Sequence, residues 1–170
     1  MYKLEEWQLS VISRIIHITM RKRLLELGSG ASTKLFDDLL MQGIVDDTTS
    51  IEHNIYYAPA TDRATITICP LSSDGFYNLK NFYATATGKK AYDFILIDGP
   101  PDHSGESSRK YAIPRLRPWL SRDAIGIVDD MHREGNREQY MLWEASNLVR
   151  TIHEYSRDFS RKKMTLFKIL

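Results

Sequence analysis

Two glycines and an acidic residue are spaced in this chain of 170 residues as they would be in a nucleoside site. Gly28 and Gly30 flank Ser29 directly after an apolar run, and glycine lets the backbone approach a ligand closely because it has no Cβ atom. Glu52 follows about twenty residues later, where a carboxylate can accept hydrogen bonds from both ribose hydroxyls of an adenosine. The glycines could instead serve only a tight turn, and Glu52 could cap the segment that begins at His53. The combination favours an adenosine site.

Three aspartates form a second group with chemical potential. Asp98 follows one apolar run, and Asp129 and Asp130 follow another. If these runs are neighbouring strands, about 4.8 Å apart, the carboxylates converge at one edge of a sheet. Oxygen ligands suit Mg²⁺ or another hard divalent cation, which would relieve the repulsion between the carboxylates. The alternative is that the aspartates cap nearby backbone and bind no metal.

Two histidines could supply a general base if no metal takes part. His103 and His132 come shortly after the same two apolar runs, and an imidazole titrates near neutral pH. An ordinary loop histidine is the favoured interpretation of each, and the assignment as a base is kept as the alternative.

The apolar pattern predicts the framework that would bring these residues together. Helical spacing over residues 4–19 predicts an N-terminal amphipathic helix. Strands are predicted at Leu24–Leu27, Thr48–Glu52, Ala64–Leu71, Tyr92–Ile97, Ala124–Val128, Thr151–Tyr155 and Met164–Leu170. Further helical segments are predicted at Tyr56–Arg63, at Ser107–Leu120, where Pro114 and Pro118 must bend or divide the helix, and after a cap at Asn136.

Alternating strands and helices predict a mainly parallel sheet that is covered on both faces. We therefore expect a three-layer α/β/α sandwich with a seven-stranded, mostly parallel sheet whose last strand is antiparallel. Ligands bind such sheets beyond the carboxyl ends of the strands, where the strand order reverses. Residues 1–170 are expected to form one domain, because this length suits one core and no linker or repeat divides it.

Composition excludes several classes of partner. The 23 Lys and Arg balance 22 Asp and Glu, so no global field attracts nucleic acid or an anionic membrane. Cys69 is the only cysteine and is expected to be a small buried apolar residue. No apolar run has the length of a transmembrane helix, and the segment MYKLEEWQLS is too polar and acidic for a secretion signal. We expect a cytoplasmic protein.

Three strings of the sequence resemble the motifs of one enzyme family. LLELGSGAST is similar to the first motif of the class I S-adenosylmethionine-dependent methyltransferases, SIEHN to the second, and YDFILIDGPP to the fourth. The predicted terminal hairpin resembles the antiparallel pair of that Rossmann-like fold, so the resemblance covers nearly the whole chain. It implies direct in-line transfer of a methyl group from S-adenosylmethionine to an acceptor, with a hydroxyl oxygen as the expected atom.

The resemblance also implies a set of cofactor-binding residues. They are Glu26, Gly28 and Gly30 at the methionine part, Glu52 at the ribose, Ser72, Ser73 and Asp74 at the adenine, Asp98 near the reacting methyl group, and in addition Ser29 and His53.

The aspartates resemble the acidic site of metal-dependent catechol-type O-methyltransferases. In that family an acidic residue after the fourth strand and an Asp-Asn pair after the fifth bind the ion, and here Asp130 takes the place of the Asn. The resemblance implies a divalent cation on Asp98, Asp129 and Asp130. In the alternative, Asp98 contacts the cofactor's ammonium group, no metal binds, and the candidate catalytic residues are Asp98, His103 and His132.

Two other functions share parts of this pattern. A nicotinamide-dependent oxidoreductase could use the same glycines and Glu52, but the third glycine of the dinucleotide pattern falls at Thr33. A non-catalytic module could keep the cofactor pocket and act as a partner subunit. The expected acceptor is a small molecule or a glycan, and a pocket completed by a second copy in a homodimer is an open alternative.

Overall fold

Seven strands form one sheet in the computed structural model, which describes residues 4–86, 88, 91–102 and 107–170. The strands are β1 (Arg23–Leu27), β2 (Asp47–Glu52), β3 (Thr65–Ile68), β4 (Tyr92–Ile97), β5 (Leu120–Val128), β6 (Val149–Ser156) and β7 (Lys163–Ile169). Their order is β3-β2-β1-β4-β5-β7-β6, and β7 is antiparallel to both of its neighbours whereas the other pairs are parallel. The predicted sheet is therefore confirmed.

Helices cover both faces of the sheet, because each helix has one apolar side to bury. They are α1 (Glu6–Thr19), α2 (Ala31–Met41), α3 (Lys80–Ala86), α4 (Ala112–Leu116) and α5 (Glu134–Ala145). One core packs α1 and α2 around Ile12, Ile16 and Phe36, and the other packs α3, α4 and α5 around Phe82 and Trp143. The three-layer α/β/α sandwich is confirmed.

Two predicted helical features are wrong. In place of a helix over Tyr56–Arg63, the structure has only a 3-10 turn at Ile55–Tyr57, because Pro59 disfavours helical backbone at the residue before it. Asn136 does not cap α5, which begins two residues earlier; it is buried within the first turn of that helix.

The other element boundaries differ less from the predictions. The segment Ser107–Leu120 is divided as expected from Pro114 and Pro118, into a 3-10 turn, α4 and a second 3-10 turn. Strand β5 begins at Leu120, before its predicted start, and its pairing with β4 is irregular there. Cys69 is buried, as predicted. Over the ranges that the structure describes, none of the helices has the length and apolar character needed to cross a membrane.

Candidate functional site

The predicted site residues meet at one edge of the sheet, where the strand order reverses between β1 and β4. The Gly28 amide donates to the Ile51 carbonyl at 2.9 Å, which joins the turn after β1 to the end of β2. The Asp98 amide donates to the Leu27 carbonyl at 3.0 Å and so joins the turns after β1 and β4. The parallel strands thus place the glycine turn, Glu52 and Asp98 side by side.

Gly28 and Gly99 pack backbone against backbone at the centre of this edge, in what we call the glycine contact. Gly28 has φ +87°, a conformation that favours glycine. A Cβ atom on Gly99 would lie 2.3 Å from the Tyr77 hydroxyl and 3.0 Å from the Gly28 Cα atom. A Cβ atom on Gly30 would meet nothing within 4 Å. Gly99 is therefore needed for packing, whereas Gly30 borders open space.

Glu26 lies under the glycine turn and is fully buried at the end of β1. Its Oε2 atom accepts a hydrogen bond of 2.6 Å from the Thr33 hydroxyl and another from Ser50. Burial raises the pKa of Glu26 to about 7, and the hydroxyl groups around it only partly oppose that effect. Its Oε1 atom is buried and has no partner of normal hydrogen-bond geometry among the described residues. One carboxylate oxygen is left for a ligand.

Tyr77 is a site residue that the sequence analysis missed. Its hydroxyl is buried against the glycine contact and has no hydrogen-bond partner within the described ranges. Burial raises the pKa of Tyr77 well above its ordinary value, and the nearby Glu52 carboxylate adds to this effect. Tyr77 falls in the irregular segment after β3, where no periodic pattern indicates which way a side chain points.

Glu52 is directed toward the glycine turn, as an adenosine site requires. Its Oε2 atom accepts hydrogen bonds of 2.9 Å from both the backbone amide and the hydroxyl of Ser29. Its Oε1 atom accepts from the amides of His53 (2.7 Å) and Asn54 (3.0 Å), and the His53 ring lies 2.7 Å away. Glu52 therefore caps the segment that begins at His53 and also lies beside the glycine turn. A ribose hydroxyl could bind Glu52 if the Ser29 hydroxyl rotates away.

Asp98, Asp129 and Asp130 converge as predicted and form what we call the acidic cluster. One oxygen of each lies within 4.8 Å of the others. Successive side chains of an extended strand point to opposite faces of the sheet. Asp130 has φ +59° and is therefore not extended, so its carboxylate and that of Asp129 can face the same cleft. The Asp98 side chain is 22% exposed, yet burial raises its pKa well above the ordinary value against the opposing effect of Arg109.

Three basic side chains surround the acidic cluster. The Lys162 ammonium lies 2.5 Å from an Asp130 oxygen and 3.3 Å from an Asp129 oxygen. Arg109 is buried, donates to the Asp98 and Asp129 carbonyls (2.8 and 2.9 Å), and lies 3.5 Å from the Asp130 carboxylate. Arg133 lies 3.1 Å from Asp130. Burial opposes ionisation of Asp130, but the Lys162 and arginine charges hold its pKa below the ordinary value.

The remaining predicted site residues that the structure describes lie around this edge. Asp74 accepts from the Phe76 amide at 3.0 Å and pairs with Arg115 at 2.5 Å, next to the half-buried Ser72 and the exposed Ser73. The His132 ring lies 4.0 Å from the Asp130 carboxylate. His103 lies outside the described residues.

Solved structures share this fold across nearly the whole chain. An O-methyltransferase from Bacillus cereus, solved with S-adenosylhomocysteine, has a TM-score of 0.68 at 14% identity, over 99% of this chain and 83% of that one. TomG from Streptomyces achromogenes, an O-methyltransferase of tomaymycin synthesis solved with S-adenosylmethionine, has a TM-score of 0.62 at 14% identity, over 98% and 81%. A protein described as a ribosomal RNA methyltransferase from Plasmodium falciparum has a TM-score of 0.63 at 13% identity, over 95% and 93%.

No family model matches the sequence, and no curated protein matches it. The likeness is therefore one of fold: these proteins, which are described as O-methyltransferases, share the Rossmann-like α/β sandwich of this chain.

Proposed function

We propose that this chain transfers the methyl group of S-adenosylmethionine to a hydroxyl oxygen of a small molecule. The observation that carries the proposal is the pair of buried polar atoms beside the glycine contact, Glu26 Oε1 and Tyr77 Oη, which lack partners within the described ranges. Buried polar groups in native proteins are nearly always hydrogen-bonded, so both atoms indicate a polar ligand. They lie at the switch point of a fold shared with enzymes that were solved with this cofactor or its product.

The residues present fit the two polar ends of the cofactor. Ionised Glu26 would hold the ammonium group of the methionine part, because its free oxygen is buried and a charge-assisted hydrogen bond is strong there. Glu52 would accept from the ribose hydroxyls in place of the Ser29 hydroxyl. Open space at Gly30 would admit the chain that joins these ends. Ser72, Ser73 and Asp74 would lie toward the adenine.

Asp98 is the group that we assign to the acceptor proton. The acceptor oxygen forms a bond to the methyl carbon while the carbon–sulfur bond breaks, and the hydroxyl proton passes to the Asp98 carboxylate. A raised pKa makes the ionised Asp98 carboxylate a stronger base than an ordinary one. His132, beside Asp130, is the second candidate for this proton.

Titration calorimetry with S-adenosylhomocysteine and with NAD tests the cofactor. We expect S-adenosylhomocysteine to bind and NAD not to bind; binding of NAD alone would instead support a nicotinamide-dependent oxidoreductase. Gly30→Ala should lower the affinity for S-adenosylhomocysteine at least about tenfold, because the added methyl group meets only the space proposed for the cofactor, and should cost about 1 kcal/mol of stability because Gly30 is the N-cap of α2. Gly135→Ala in α5, whose nearest neighbour would be 3.8 Å away, is the matched control and should leave this affinity unchanged.

A second assay tests transfer itself. Release of S-adenosylhomocysteine is measured with a panel of small hydroxyl compounds and glycans. Release with at least one hydroxyl compound is the expected result. Cofactor binding without release from any acceptor in the panel would favour a non-catalytic partner subunit.

A further inference from the structure

Lys162 occupies the place in the acidic cluster where a divalent cation would bind. It lies at the end of the turn between β6 and β7, and its Nζ atom sits between the carboxylates of Asp129 (3.3 Å) and Asp130 (2.5 Å). The turn is held in position, because the Lys162 amide donates to the Ser160 hydroxyl at 3.0 Å and that hydroxyl donates to Glu5 at 3.0 Å. The ammonium group is therefore part of the folded structure of the cluster.

The other oxygens of the two buried aspartates also have donors. Asp129 Oδ1 accepts a 2.6 Å hydrogen bond from the side-chain amide of Gln8, which is buried in α1. Asp130 Oδ2 lies 3.1 Å from Arg133 and 3.5 Å from Arg109. All four carboxylate oxygens of this pair are thus already used by the chain.

A divalent ion does not fit this arrangement. Mg²⁺ needs about six oxygen ligands at roughly 2.0–2.1 Å. Here Asp129 and Asp130 have no unused oxygen, and a dication would meet the positive charge of Lys162 at close range. Three basic side chains already surround the two buried aspartates, so the negative charge of this pair is balanced within the protein.

We infer that Lys162 is a built-in counterion that replaces a divalent cation at the acidic cluster, so that methyl transfer by this chain needs no metal. The counterion role of Lys162 stands on the geometry of the acidic cluster alone, whereas metal-free methyl transfer rests on the proposed function. An ammonium group has three N–H donors, and two of them face Asp129 and Asp130. Lys162 thereby supplies the positive charge that a divalent cation would otherwise bring to these two carboxylates.

Binding of Mn²⁺, measured by electron paramagnetic resonance, tests this inference without an acceptor. The wild-type protein is compared with Lys162→Met, which keeps most of the aliphatic stem and removes the charge. We expect Mn²⁺ to bind Lys162→Met at least about tenfold more tightly than wild type, because the carboxylate oxygens become available. Lys163→Met changes an exposed neighbour and should bind Mn²⁺ as weakly as wild type does.

Two further variants and one independent measurement distinguish a failure of the Lys162 assignment from a failure of the proposed function. Asp129→Asn in the Lys162→Met background should abolish the gained Mn²⁺ affinity, and Lys162→Gln provides a polar replacement if the methionine variant is unstable. Equal Mn²⁺ affinity in wild type and Lys162→Met, whether tight or weak, would overturn the assignment to Lys162. Binding of S-adenosylhomocysteine is measured on the same samples; its absence would contradict the proposed function and leave the Mn²⁺ comparison valid.

Discussion

The two halves of the candidate site differ in how their buried polar groups are satisfied. In the donor half, defined by Glu26, Glu52, Tyr77 and the glycine contact, two buried polar atoms have no partner among the described residues. In the acidic cluster, both buried aspartates bind side chains of the same protein through all their oxygens. A buried group without a partner at the edge where the strand order reverses is a candidate contact for a ligand, whereas a fully bonded group indicates a preformed structure.

Substitution of Arg109 should give the largest effect on stability. Arg109→Ala removes a buried cation that donates to three backbone carbonyls and faces the aspartates, which leaves buried charges uncompensated. We expect the free energy of unfolding to fall by about 3–5 kcal/mol in urea denaturation. Arg115→Ala removes an arginine that is 35% exposed and should cost only about 1 kcal/mol. Equal losses would show that the acidic cluster is not a preformed ionic structure.

Substitution of Glu26 tests the donor half through its pH dependence. With a pKa of about 7, Glu26 is mostly protonated at pH 6 and mostly ionised at pH 8. If the ionised form binds the cofactor's ammonium group, affinity for S-adenosylhomocysteine should rise roughly tenfold over this interval. Glu26→Gln should remove that rise and lower affinity at pH 8 by about 10- to 100-fold. The exposed Glu154→Gln is the control and should keep the wild-type profile.

The free energy of unfolding should fall as the pH rises, whereas the affinity for S-adenosylhomocysteine should increase. The folded-state pKa of Glu26 is raised above its ordinary value of 4.5, so the folded protein holds a proton that the unfolded chain releases. The stabilising contribution is complete below about pH 4.5 and is lost as the pH rises toward 7, on the order of 3 kcal/mol in total. Urea denaturation of wild type and Glu26→Gln across this range measures the difference. A wild-type slope that matches the variant would contradict the raised pKa.

Tyr77→Phe tests whether the Tyr77 hydroxyl serves cofactor binding or stabilises the core. The Tyr77 hydroxyl has no partner in the described chain, so its removal should leave the melting temperature equal or higher while it weakens S-adenosylhomocysteine binding by about 3- to 10-fold. Tyr92→Phe is the matched control, because the Tyr92 hydroxyl donates to Thr49 at 2.9 Å inside the core. That variant should lose about 1 kcal/mol of stability and bind normally. The reverse pattern would mean that Tyr77 does not face the cofactor.

The position of each site residue in the fold explains whether it could be predicted from the sequence. Parallel strands with apolar runs fix where their ends lie, so the meeting of Gly28, Glu52, Asp98 and Asp129 follows from topology alone. Side chains from irregular or distant segments follow no such rule. Lys162 enters from a hairpin turn, and its pairing depends on the length and register of β6 and β7, which hydrophobic periodicity does not determine.

Gln8 is a missed residue for which the sequence does hold a signal. It stands on the buried side of α1, one turn from Leu4 and Ile12, where an uninterrupted apolar stripe would be expected. A buried amide needs a hydrogen-bond partner, and the partner here is Asp129 across the sheet edge. A polar residue within an apolar stripe could therefore have been predicted to face the site, although its partner could not.

Ser29→Ala should have the smallest effect and decides how Glu52 binds the ribose. The Ser29 hydroxyl and amide both donate to Glu52 Oε2 at 2.9 Å, but only the hydroxyl can rotate away and be replaced by a ribose hydroxyl. Removing it should then cost no cofactor contact, and affinity for S-adenosylhomocysteine should change by less than about threefold, with the backbone amide still holding Glu52 in place. Glu52→Gln, measured beside it, should lose at least about tenfold, because the charged acceptor itself is removed. A tenfold loss in Ser29→Ala would instead show that the serine hydroxyl contacts the cofactor and that Glu52 keeps its present partners, which would make the donor half as preformed as the acidic cluster.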